Sequence, residues 1–171
     1  MNAKPRTRRT ALAAALVVAL ALTTGAALAH VKDREYILFN SHQPYDPGQC
    51  VKGLARVADG NYDHGFARTR TQSKKDAFQG YCNWEKDKPP GYIRAEMWWM
   101  KWHNNNNYWG VCAHWSQRFN PTRTWEYTFY HDFRHVRCGQ GDYATSSYNH
   151  VWWHGAWRGG GVDGRPHFIW R

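Results

Sequence analysis

The chain has 171 residues and carries 23 Lys and Arg against 13 Asp and Glu, a formal net charge of +10 with its ten His neutral. That balance favours an anionic partner such as a cell-wall polymer or an acidic polysaccharide, with nucleic acid the least favoured. The single long apolar run falls short of the roughly 20 residues a membrane span needs, so no transmembrane segment is expected in the mature chain.

Lys4, Arg6, Arg8 and Arg9 precede the apolar run Ala11 to Leu22, which leads to the small-residue site Ala27-Leu28-Ala29. This is the layout of an export signal, so residues 1–29 are expected to be cleaved and residues 30–171 to form a single secreted β domain. Cleavage removes those four cations and no acid, lowering the net charge from +10 to +6 over 142 remaining residues. Arg8-Arg9 followed by Thr-Ala-Leu is similar to a twin-arginine signal, and an ordinary basic n-region accounts for it equally well.

From Arg34 to Phe39 the chain alternates and then meets Asn40-Ser41-His42-Gln43-Pro44, which predicts a strand followed by a loop. Cys50 to Val57 reads as a strand, although Val51, Leu54 and Ala55 also fit a helical spacing. Asp59-Gly60-Asn61 predicts a turn, and Phe66 to Thr71 a strand with Phe66, Arg68 and Arg70 on one side. The polar stretch Gln72 to Gly91 reads as a surface excursion tied down by Cys82.

Three aromatic runs follow. As strands, they place Ile93, Ala95, Met97 and Trp99 on one face, then Trp109, Val111, Ala113 and Trp115, then Trp125, Tyr127, Phe129 and Phe133. This pattern predicts a β-meander from Tyr92 to Cys138 with one face for a core, and Asn104 to Asn107 suit its first connection because Asn tolerates positive φ. Beyond Gly139-Gln140-Gly141, strands are expected over Asp142 to Ser147 and His150 to Trp157. Gly159-Gly160-Gly161 and Asp163-Gly164-Arg165-Pro166 are expected to break the chain before a closing segment, His167 to Arg171. The fold class is therefore all-β, an antiparallel β-sandwich or barrel stapled by two disulfides.

Cys50, Cys82, Cys112 and Cys138 form an even set in an exported chain, which implies two disulfides. Pairing Cys50 with Cys82 and Cys112 with Cys138 closes two local units. No two cysteines have the close spacing of a zinc knuckle.

Eleven Trp and ten Tyr exceed what a core of this size takes up. Opposite the apolar face of the first aromatic run stand Tyr92, Trp98 and Trp102, interleaved with Arg94 and Glu96, and Trp152 joins them as a further candidate ligand contact. Flat rings beside directional polar groups suit stacking on a sugar, and the competing reading is a face covered by another sheet. His131 and His135, like His150 and His154, are four apart. On a strand that spacing is ~13 Å, too long for one pair to hold one ion. Asp132 faces away from both histidines beside it, no Gly-x-Ser-x-Gly elbow occurs, and no glycine loop precedes a helix to hold phosphate. No cofactor is called for by these patterns.

Cleavage after Ala29 would make His30 the mature N-terminus, where an amine and its own imidazole can chelate copper. That arrangement resembles the histidine brace of lytic polysaccharide monooxygenases, and the resemblance implies copper at His30 and an oxidase activity. The leading expectation is a secreted aromatic-rich binding domain for a glycan or an anionic cell-envelope polymer. The alternative is a cationic antibacterial or toxin-like protein, since charge and Trp also suit a membrane interface.

Overall fold

The computed structural model describes residues 31–41, 48–59, 65–75, 82–133 and 138–169. The export signal, its cleavage site, His30 and His135 lie outside the described residues. The strands are β1 (Val31–Asn40), β2 (Gln49–Asp59), β3 (Gly65–Lys75), β4 (Trp84–Glu85), β5 (Ile93–His103), β6 (Tyr108–Phe119), β7 (Glu126–Phe133), β8 (Gly141–Trp153), β9 (Ala156–Asp163) and β10 (His167–Ile169). Among the described residues no helix is long and apolar enough to cross a membrane.

Two antiparallel sheets result. The first runs β1-β2-β3, with β7 and the short β4 sharing the far edge of β3. The second runs β6-β5-β8, with β9 and β10 sharing the far edge of β8. β2 lies over β8 and β3 over β5, so the sheets stack as a sandwich. Both disulfides join as expected, Cys50 to Cys82 and Cys112 to Cys138.

Period-two alternation decides what enters the core. On β5, Ile93, Ala95, Met97 and Trp99 are buried, while Arg94, Glu96 and Trp98 are only half-buried on the other side. Among the described residues the core has two apolar clusters, one around Val57, Met97, Trp99, Phe129 and Tyr143 and a smaller one of Val51, Ile93 and Val151. A polar layer separates them: Thr69 and Thr71 from β3 reach the Oδ1 of Asn149 on β8 at 2.9 and 2.8 Å. All three residues are fully buried. Gly53 makes room for that layer, because a Cβ there would stand 2.9 Å from Asn149 Nδ2.

Five expectations need correction. The three aromatic runs are not one meander: β5 and β6 form a hairpin, but β7 crosses to the first sheet and pairs with β3. Joining the free edge of β3 puts Tyr127 and Phe129 against the core from the opposite side. On β6, Trp109 and Val111 pair with Trp102 and Met100 and face outward, whereas Ala113 and Trp115 pair with Trp99 and Met97 and face inward. A bulge at that point lets Cys112 turn toward the core and its disulfide, and Val111 is left exposed.

The two strands expected over Asp142 to Trp157 are instead one continuous β8 and the start of β9. The turn between them is His154-Gly155, both at positive φ (48° and 74°), the conformation of a two-residue type I′ hairpin. The glycine triplet lies inside β9 rather than ending it, and Gly159 has φ 150° where a Cβ would collide with the Asn149 carbonyl. Finally, Gln72 and Ser73 belong to β3 and are buried, so the polar excursion begins later than its composition suggests.

Candidate functional site

The outer face of the second sheet collects the aromatic and polar side chains that the interior rejects. At one end, Trp152 meets Trp157 edge-on with ring centres 5.3 Å apart, and Phe119 lies 5.9 Å from Trp157. The Arg94 guanidinium sits 4.4 Å above the Trp157 ring and donates to Gln117 Oε1 at 3.1 Å. Tyr92, exposed, stands just before β5, its carbonyl accepting from the Trp152 N–H at 2.7 Å. Asn120 pins this end, since its Oδ1 accepts from the Ile93 N–H at 2.8 Å while its Nδ2 donates to the Pro89 and Thr122 carbonyls.

In the middle of the face, Trp98 stacks on the His114 imidazole at 4.8 Å and 8° and takes the edge of Tyr148 at 5.2 Å. His114 Nε2 is 2.7 Å from Glu96 Oε1, which holds the imidazole in that stack. Beside it lies a depression of about 250 Å³ lined by Arg94, Glu96, Gln117, Tyr148 and His150. At the far end Trp102 packs on Trp109 at 5.4 Å, next to the four-asparagine turn. A second depression of about 400 Å³ opens there, with Trp102, His103, Asn104, Asn105, Gln140 and Asp142 in its wall.

Arg94 and Trp98 therefore share the central field, with Tyr92 and Trp152 at one end of it. Trp102 is not brought together with Trp152: the two lie at opposite ends of β5 and β8, roughly 30 Å apart by strand rise. All three tryptophans are half-buried, Trp98 stacked flat on its neighbour and Trp102 and Trp152 inclined against theirs. His114, Gln117, Tyr148 and Trp157 were missed by sequence reasoning. The His154-Gly155 turn would have revealed Trp157, because a two-residue hairpin sets Trp157 opposite Trp152.

No family model, curated protein or solved structure matches the chain. The chemistry of the face must therefore be read from its own side chains. Among the described residues no three His, Cys, Asp or Glu are grouped to hold a metal ion. His131 turns its ring against Trp115 at 4.8 Å and His154 stacks on Trp153 at 4.0 Å.

Burial holds the His150 imidazole below its ordinary value, the positive Arg94 beside it lowers it further, and Glu96 acts in the opposite direction. His150 is thus neutral at pH 7 and can both donate and accept a hydrogen bond. Between its lowered folded value and the unfolded value of ~6.5, the unfolded chain binds the extra proton. Stability present above pH ~6.5 should accordingly be lost as the pH falls through that window. Urea midpoints stepped through the acid range should show a shallower loss for His150→Gln than for the wild type, and identical slopes would remove His150 from the account.

Proposed function

We propose that the chain is a secreted, disulfide-bonded domain that acts by binding, with a glycan lying along the outer face of its second sheet. The observation that carries this reading is the convergence of Arg94, Glu96, Gln117, Tyr148 and His150 on one depression beside the Trp98 ring. Sugars present apolar C–H faces and a rim of hydroxyls, and this site supplies a counterpart for each. Trp98 offers π surface, Glu96 accepts, Arg94 donates, and neutral His150 does either. The length of the stripe, from Tyr92 past Trp98 to Trp102, suits a chain of several sugars better than a single one. Export follows from the basic and apolar residues before Ala29 and agrees with the two disulfides.

A glycan array and a cell-wall pull-down on the mature protein test the reading. Trp98→Ala should weaken binding by about 1–3 kcal/mol, the range for losing one stacked ring, and Trp102→Ala should do the same for longer chains only. Retention of no glycan by the wild type would sink the proposal, as would variants that bind like the wild type.

A further inference from the structure

The outer face of the first sheet, on the opposite side of the sandwich, has a different composition. Strand register places Asp33, Arg56, Arg68 and Tyr130 in one row across β1, β2, β3 and β7, and Glu35, Leu54, Arg70 and Thr128 in the next. Arg56 is directly opposite Arg68, and Arg70 is two residues further along β3 on the same face. Three guanidinium groups are thus set side by side, although like charges facing each other across strands destabilise a sheet.

Their carboxylate partners are unevenly shared. Asp33 accepts from Arg56 at 2.6 Å, Glu35 accepts from Arg70, and Glu126 lies 3.9 Å from Arg70 while accepting from Gln72 at 2.8 Å. Arg68, between them, makes no hydrogen bond or ion pair among the described residues. Asp132, next along β7, is exposed and leaves it unpaired. Burial and the charges of Arg56 and Arg70 disfavour the Arg68 cation, with only Glu126 opposing them. Its Nε, like those of Arg56 and Arg70, is shielded without a partner, and with the residue only half-buried the Nη pair is the fork a ligand would meet. Opposite Arg68, Tyr130 is 65% exposed with its ring held against Phe66 at 5.6 Å and 27°.

We infer that Arg68 is the centre of a binding site for a tetrahedral oxyanion, a phosphate or sulfate group, flanked by Arg56 and Arg70 and with Tyr130 opposite it in register. Such a group accepts from the Nη fork of Arg68, and its negative charge relieves the repulsion among the three arginines. The site is independent of the aromatic face and stands whether or not that face binds glycan.

The test uses the full mature chain with its disulfides intact and titrates inorganic phosphate and sulfate against chloride at equal ionic strength. In chloride, Arg68→Gln should be at least as stable as the wild type, because it removes an unpaired cation from between two others. Phosphate or sulfate should raise the wild-type unfolding midpoint more than that of Arg68→Gln, which also corrects for the general stabilising effect of these salts. Calorimetric affinity should fall about tenfold or more in Arg68→Gln. Equal responses of the two proteins, or a marked loss of stability for Arg68→Gln in chloride, overturn the site. If the glutamine variant does not fold, Arg68→Lys keeps the charge without the planar fork, and undiminished affinity in that variant overturns it as well. Tighter binding of a phosphorylated or sulfated polysaccharide than of the inorganic ion assigns the site to the ester, and the reverse assigns it to the free ion.

Discussion

Trp99→Ala should lower the folding free energy by about 3–5 kcal/mol, whereas Trp98→Ala, one position earlier on the same strand, should cost only about 1 kcal/mol. The two side chains leave β5 on opposite faces. Trp99 is 1% exposed, lies 5.0 Å from the Tyr143 ring and belongs to the larger apolar cluster with Met97 and Phe129. Removing its indole leaves a cavity between two sheets that hydrogen bonding along every strand keeps from collapsing. Trp98 instead loses one stacked imidazole and one phenol edge at a surface that water can refill. Urea unfolding of both variants separates the faces: comparable losses would mean that the outer aromatic face is as much core as the inner one, and that it is no platform for a ligand.

Where one strand has one wet side, its pattern was legible without coordinates. The alternation from Ile93 to Trp99 predicts the burial of β5 residue by residue, and local closure predicts both disulfides. What local pattern does not carry is the choice of partner strand. Tyr127 and Phe129 read the same whether β7 extends the β5–β6 hairpin or crosses to β3, because either edge buries the same face. The β6 bulge is hidden for a related reason. One extra residue at Cys112 reverses the alternation, so a register carried back from the inward-facing Trp115 points Val111 inward when it is in fact 58% exposed.

The polar layer was the least visible part of the interior, since Thr69, Thr71, Ser147 and Asn149 carry the composition of a solvent face. They are buried because they satisfy one another across the sandwich. The same limit applies to the candidate site. Arg94 and Trp98 could be placed on one face from β5 alone, but Tyr148, His150 and Gln117 reach the depression only through the pairing of β8 and β6 with that strand.

Asn149→Leu should cost about 2–4 kcal/mol of stability, because the apolar replacement strands hydroxyls that have no access to water. Thr69 is fully buried and its one hydrogen bond goes to Asn149 Oδ1. Thr71 is better placed, since its single hydroxyl hydrogen can turn from Asn149 to the Arg94 carbonyl at 3.1 Å. Ser147, which accepts from Asn149 Nδ2 at 2.8 Å, also loses its donor. Most of the penalty should therefore lie in Thr69, and Thr69→Val should recover much of it in the Asn149→Leu background, because both partners of the broken bond are then apolar. A double-mutant cycle measured by denaturant unfolding reports the coupling directly. If Thr69→Val is equally costly with Asn149 and with Leu at that position, the two side chains are not coupled and the polar layer does not join the sheets. A large coupling would mean that β8, whose Tyr148 and His150 flank Asn149 and face the depression, is held at its depth by this interior bond.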